Sequence, residues 1–160
     1  GDRTMSNARY NLFPSKPSFH AYRSDDYNIN VSGQHRIVRF NAVAHNEGNH
    51  WSDTTDLFTA PVNGVYQFNA TVRINNQNSG TYMILKMYKN PTFSGDQITA
   101  GTAIKGMYSI STNMGSYNTR QLSLTIKLSA NDTVCVSAYS QGDTSWGIDN
   151  NSQFSGHLVT

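Results

Sequence analysis

Residues 40–68 read FNAVAHNEGNHWSDTTDLFTAPVNGVYQF, and this stretch decides the fold. It opens as a polar loop rich in Asn and His and closes on FTAPVNG and an alternating run. Pro61 fixes its own φ and lacks an N–H, which suits the end of a strand, and Gly64 permits a close backbone approach. Beyond Gly64, Tyr66, Phe68, Ala70 and Val72 fall on one face, with Gln67, Asn69, Thr71 and Arg73 on the other. Alternation of period two in aromatic and β-branched residues predicts a half-buried strand. A run of about nine or ten residues is long for a strand, so its expected place is the centre of a sheet.

Working outward, further strands are expected at 17–23, 27–31, 36–44, 81–89, 102–110, 121–128, 133–139 and 153–159, with 55–59 leading into the long strand. Leu122, Leu124, Ile126 and Leu128 alternate with Gln121, Ser123, Thr125 and Lys127. Residues 81–89 (TYMILKMYK) are apolar on both faces, so a cover on each side is expected. Asn90-Pro91 reads as the end of that strand, and 92–101 as a loop. Turn signals separate about ten short strands, no stretch has helical periodicity, and no internal repeat appears. The expectation is an all-β sandwich or jelly roll spanning 17–160, preceded by a polar tail or neck at 1–16.

The bulk properties agree. A chain of 160 residues suits one domain with a real core. Only 14% of residues are charged against 37% hydrophobic, so the polarity comes from Asn, Ser, Thr, Gln and Gly. That composition argues against a helical bundle and against charged disorder. A net charge of +2 without a basic run offers nucleic acid no electrostatic footprint. No apolar run approaches the ~18 residues of a membrane span. The single cysteine, Cys135, lies in the strand-like Val134-Cys135-Val136, where a buried, inert thiol is expected.

The spacing Phe40-x5-Asn46-x4-Trp51-x6-Phe58-x5-Gly64-x-Tyr66-x-Phe68 resembles the signature of the complement C1q globular-head family. Pro17-Ser18-Phe19-x-Ala21-Tyr22, Leu122-x-Leu124-x5-Ala130-x-Asp132-x-Val134 and Phe154-Ser155-Gly156-x-Leu158-Val159 are similar to its first strand, penultimate hairpin and closing strand. Ala70 and His157 stand where the family commonly has aromatics, and residues 1–16 carry no collagen-like repeat. The resemblance implies a ten-stranded jelly roll related to the tumour necrosis factor fold. It also implies a homotrimer, a secreted or virion-surface location, and a non-enzymatic binding role. The sheet that joins the first and last strands would face the threefold axis. Phe19, Tyr66, Phe68, Tyr139 and Phe154 would then serve the trimer interface, unless they are ordinary monomer core.

Candidate chemistry is sparse. No nucleophile, zinc-protease or phosphate-loop motif is present. His45, His50 and Asp53 share a loop but fall short of the three or four convergent ligands zinc needs. Asp143 and Asp149 are candidate calcium ligands, since calcium takes clustered loop oxygens, but Asp is also a turn former. The loop 142–151 (GDTSWGIDNN) is the candidate ligand site, through Asp143, Trp146, Asp149 and Asn150. Trp146 is either a plug over the end of the sandwich or a stacking platform for a cell-surface glycan or protein ligand. The alternative to a recognition head is a structural trimerisation tip of a phage or viral fibre, favoured by the Asn/Ser/Thr-rich composition. Four N-glycosylation sequons begin at Asn30, Asn69, Asn131 and Asn150.

Overall fold

The computed structural model describes residues 16–78, 81–104, 109–112 and 117–160. The tail expected at 1–16 therefore lies, but for its last residue, outside the described residues. Every regular element among the described residues is a β-strand. In chain order they are β1 (Ser18–Tyr22), β2 (Tyr27–Asn28), β3 (His35–Ile37), β4 (Ala42–Glu47), β5 (Trp51–Ser52), β6 (Leu57–Thr59) and β7 (Gly64–Asn75). There follow β8 (Tyr82–Ser94), β9 (Gln97–Ala103), β10 (Ser109–Thr112), β11 (Tyr117–Leu128), β12 (Thr133–Gln141), β13 (Gly147–Ile148) and β14 (Gln153–Leu158).

Two antiparallel sheets face each other. The first runs β4-β1-β14-β7-β11, with β13 continuing the line of β14 along β7 and carrying β2. The second is built on β8 and β12, flanked by β9 and β10 on one side and by β3, β6 and β5 on the other. Segments that follow one another along a shared edge, such as β9 and β10 along β8, account for much of the excess over ten strands. The long strand after Gly64 is central, as its length predicts: β11 pairs with it over its whole length on one edge and β14 on the other.

The core lies between the sheets. Tyr66, Phe68, Ala70 and Val72 are all fully buried, as the alternation requires. Phe19 stacks on Trp51 at 4.9 Å and 3° and meets Phe154 edge-on at 5.0 Å. Ala70 lies opposite both Phe154 and Leu122, whose bulk fills the room beside this small residue. Gly156 lies opposite Phe68, and a Cβ there would stand 2.5 Å from the Phe68 ring and 2.8 Å from the Phe19 ring.

One expectation is corrected. Residues 92–101 are not a loop: β8 runs through Pro91 to Ser94 and turns into β9. Pro91 is tolerated because the ladder is already shifted between Lys89 and Thr92. Such a bulge relieves proline of donating a ladder hydrogen bond. The β8–β9 hairpin curls over the outside of its own sheet until Gln97 pairs with Arg36 of β3. Beneath it lies a second small core of Ile37, Tyr88, Ile98 and Cys135. This is the outer cover that residues 81–89 call for.

Candidate functional site

The signature stretch owes its spacing to structure. The Asn46 side chain closes the loop onto Trp51, its Nδ2 donating to Trp51 O at 2.8 Å and its Oδ1 accepting from Trp51 N at 3.1 Å. Gly48 and Asn49 turn that loop with positive φ, the region Gly and Asn tolerate best. The Tyr66 hydroxyl donates to Val62 O at 2.7 Å and ties the FTAPVNG turn to the strand that follows. Asp56 is buried and accepts from Phe40 N at 3.0 Å and from Arg39 Nη1 at 3.0 Å. Burial pushes its carboxyl above the usual carboxylate range. Arg39 also donates to Asp96 at 2.7 Å, and that hydrogen bond chiefly holds Asp96 below the usual range.

The candidate ligand loop is structural along most of its length. Trp146 is 0% exposed and belongs to the main core. Its Nε1–H donates to Val31 O at 3.0 Å, and its backbone N–H donates to Asn30 Oδ1 at 3.0 Å. Of the two readings of Trp146, the structure takes the plug and not the stacking platform. Asp143 is buried and accepts from Asn78 N, Asn78 Nδ2 and Ser145 N at 2.7–2.9 Å. Asp149 is buried too, paired with Arg73 at 2.6 Å and accepting from Asn151 N at 2.9 Å. These carboxylates are already engaged by protein donors, so they do not fit a calcium site. No three His, Cys, Asp or Glu side chains converge elsewhere among the described residues. Asn150 is exposed and lines a shallow depression of about 440 Å³ with His20, Tyr22, Asn151, Ser152 and Gln153.

Phe19, Tyr66, Phe68 and Phe154 point between the sheets at 0–1% exposure, so within one protomer they are core. Tyr139 is on the other sheet, on its outer face, its ring tilted at 33° to that of His35 with centroids 4.6 Å apart. The side chains that the sheet of β1 and β14 turns outward are different ones. Across β1, β14, β7 and β11 they form three rows: Tyr22–Gln153–Thr71–Gln121, His20–Ser155–Asn69–Ser123 and Ser18–His157–Gln67–Thr125. None of these residues is Asp, Glu, Lys or Arg. They bond to one another: Ser123 Oγ donates to Asn69 Oδ1 at 2.7 Å, and Gln67 Nε2 donates to Ser123 Oγ at 3.0 Å. A shallow depression of about 350 Å³, lined by His20, His45, Asn69, Thr71, Gln121, Gln153 and Ser155, sits on this face. Periodicity sets Gln67, Asn69, Thr71, Gln121, Ser123 and Thr125 opposite the apolar faces of β7 and β11, but it could not show the charge-free patch, which strands far apart in sequence assemble.

Cys135 is fully buried, and burial pushes its thiol up to about 12. A thiol so protonated is no nucleophile. Among the described residues no helix is long and apolar enough to cross a membrane.

Two facing antiparallel sheets with this connectivity define a jelly roll of the kind shared by complement heads and tumour necrosis factors. The comparisons say which. The model of the C1q domain family matches residues 18–159, so the chain belongs to the C1q domain family. Among solved structures, the globular domain of zebrafish complement 1qA matches with a TM-score of 0.66 at 17% identity, over 91% of this chain and 98% of that one. Eiger TNF from S. frugiperda matches with 0.63 at 8% identity, over 91% and 93%. Murine APRIL at pH 5.0 matches with 0.63 at 11% identity, over 91% and 100%. These likenesses are of fold. No curated protein matches the chain in sequence.

Proposed function

We propose that the protein is a non-enzymatic recognition head that works as a homotrimer, assembled through the uncharged centre of the outer face that β1, β14, β7 and β11 share. The observation that carries this reading is the three uncharged rows. Depletion of charge, more than bulk hydrophobicity, sets the centre of an interface apart from the rest of a surface. Homo-oligomers close on point symmetry, and three copies meeting on one face form a ring. C1q and tumour necrosis factor domains typically form trimers and bind ligands, which supports the same arrangement and an extracellular or virion-surface place. The second sheet and the connecting loops would then be displayed outward in triplicate. Three weak contacts to a cell-surface glycan or protein ligand would act together and raise avidity without new chemistry.

Ser155→Glu tests the interface, because it puts a carboxylate in the middle of the face without touching the core. Light scattering should give the mass of three chains for the wild type and of one for the variant, at unchanged far-UV circular dichroism. A variant that remains a trimer would refute the assigned face. The fibre-tip alternative shares the trimer but carries no ligand. A glycan and cell-surface binding screen in which the wild-type trimer retains nothing would favour it.

A further inference from the structure

We infer that residues 92–100, the tip of the β8–β9 hairpin, form a hinged strap latched at Asp96, which opens and recloses over the second core while the sandwich stays folded. Both strands of the hairpin bend at one level. Asn90 has a φ of 51° and Gly101 a φ of 128°, and the ladder slips between Lys89 and Thr92 and again between Thr92 and Phe93. Gly101 passes so near the other strand that a Cβ on it would stand 2.9 Å from Pro91 Cα and 3.0 Å from Asn90 O. The Asn90 side chain ties this level to the β11–β12 turn: its Nδ2 donates to Asp132 Oδ1 and its Oδ1 accepts from Thr133 N, both at 2.9 Å. Proline and glycine interrupt a ladder where they stand, so a fixed hinge divides the tip from the sheet. Beyond it the two strands pair again with each other, Thr92 with Ala100, Phe93 with Ile98 and Ser94 with Gln97, so the tip can move as one piece.

The strap is held down at its far end. The Asp96 carboxylate accepts from Arg39 Nη2 at 2.7 Å and from the Tyr27 hydroxyl at 3.0 Å, and its backbone O accepts from Ile37 N at 2.9 Å. Tyr27 belongs to the first sheet and Ile37 to the second, so one residue fastens the strap to both layers. Between hinge and latch the strap brings Phe93 and Ile98 against Ile37, Tyr88 and Cys135. Two side chains bury little apolar area, whereas charge-assisted hydrogen bonds are the stronger of their kind. Closure therefore rests on the latch more than on packing. Segments with few buried apolar contacts open at free energies below that of global unfolding.

The inference stands apart from the trimer reading, because the strap lies on the second sheet. Cys135, buried beneath it, reports its opening. Asp96→Ala removes the side-chain latch and leaves Arg39 its pair with Asp56. A disulfide-exchange reagent at neutral pH should label Cys135 at least about tenfold faster in Asp96→Ala than in the wild type, a shift of about 1.4 kcal/mol in the opening equilibrium. Gly156→Ala, which strains the main core and not the strap, should leave the labelling rate at the wild-type value. Opening of the strap exposes little surface, so wild-type labelling should be nearly independent of urea well below the unfolding midpoint. In the wild type the Ile37 amide, which donates to Asp96 O, should exchange at least about tenfold faster than the Phe68 amide. A staple gives the converse. Arg36→Cys and Gln97→Cys, partners across the ladder, fall within disulfide reach of each other, and the oxidised double variant should label at Cys135 at least about tenfold more slowly than the wild type. Labelling of Asp96→Ala or of the stapled protein at the wild-type rate would overturn the inference. So would equal acceleration by Gly156→Ala, or a urea dependence as steep as that of global unfolding, since either would mean that Cys135 is reached only when the whole domain unfolds.

Discussion

Replacing Trp146 by alanine should be a stability lesion, not a binding lesion. The side chain is the largest of the fully buried ones and sits in the main core. Truncating a buried aromatic to alanine costs about 3–5 kcal/mol through lost transfer energy and the cavity left behind. The indole also satisfies the part-buried Val31 O at 3.0 Å, and leaving that carbonyl unpaired adds up to about 1–3 kcal/mol. The sum, about 4–8 kcal/mol, is a large share of the ~5–15 kcal/mol by which domains are stable. At about 2–4 °C per kcal/mol for a chain of this size, the melting temperature should fall by roughly 8–32 °C. Calorimetry at one fixed protein concentration is the assay, since assembly makes melting concentration-dependent. Trp146→Phe separates the terms: it keeps most of the volume, loses the N–H, and should cost about 1–3 kcal/mol. A melting temperature within about 4 °C of wild type for Trp146→Ala, near 1 kcal/mol, would mean that Trp146 does not plug the sandwich.

Other perturbations give independent checks. Gly156→Ala would press a methyl group into the Phe68 and Phe19 rings, and overpacking of that kind should cost about 1–3 kcal/mol in chemical denaturation; an unchanged midpoint would contradict the ring positions. Asp96 is held below its ordinary range chiefly by its hydrogen bond from Arg39, so its contribution is present above the unfolded carboxylate pKa and is lost as pH falls through the folded one. Asp96→Asn should therefore flatten the acid limb of stability, and melting curves from neutral to acidic pH that keep the wild-type slope would count against the pairing. Asp56, raised by burial, has the opposite sign: its term favours folding below the unfolded pKa and is lost as pH rises through the folded one. Because burial pushes the Cys135 thiol to about 12, a disulfide-exchange reagent should label it only as fast as the protein opens; rapid labelling of native protein would refute its enclosure. Millimolar calcium chloride should leave the melting temperature in place, and a rise would show that Asp143 and Asp149 release their present partners for the ion.

What the sequence discloses depends on how many faces a strand covers. In β7 one face is core and one is bare, so alternation assigns Tyr66, Phe68, Ala70 and Val72 inward without ambiguity. In β12 both faces are covered: Val134, Val136 and Ala138 face the main core while Cys135 and Ser137 lie buried beneath the β8–β9 hairpin. Periodicity cannot then say which sheet face Tyr139 joins. Proline rules hid that hairpin, because Pro91 reads as a strand end and the bulge that admits it is a tertiary feature. The loop around Trp146 misleads for a related reason. Its polar residues suggest exposure, yet Asp143 and Asp149 are there to satisfy backbone donors in a buried turn. The latch at Asp96 is not legible at all, since the fold and not a spacing brings Tyr27, Ile37 and Arg39 to it.

These differences converge on the two outer faces of the sandwich. One sheet covers part of its outer face with its own hairpin, over a second small core. The other leaves its broadest face bare. An exposed sheet under no further demand commonly carries Lys or Glu, which keep other chains away. Here 12 cationic and 10 acidic residues are available in the chain, and the three outward rows of β1, β14, β7 and β11 contain none of them. Glu47, Arg73 and Lys127 stand at the margins instead. A face both bare and uncharged lacks the usual defence against contact, and its amide, hydroxyl and imidazole groups are of the kind that can exchange hydrogen bonds with an identical face. The assembly surface we propose is therefore the one the fold leaves uncovered. The core aromatics support it from beneath without reaching it.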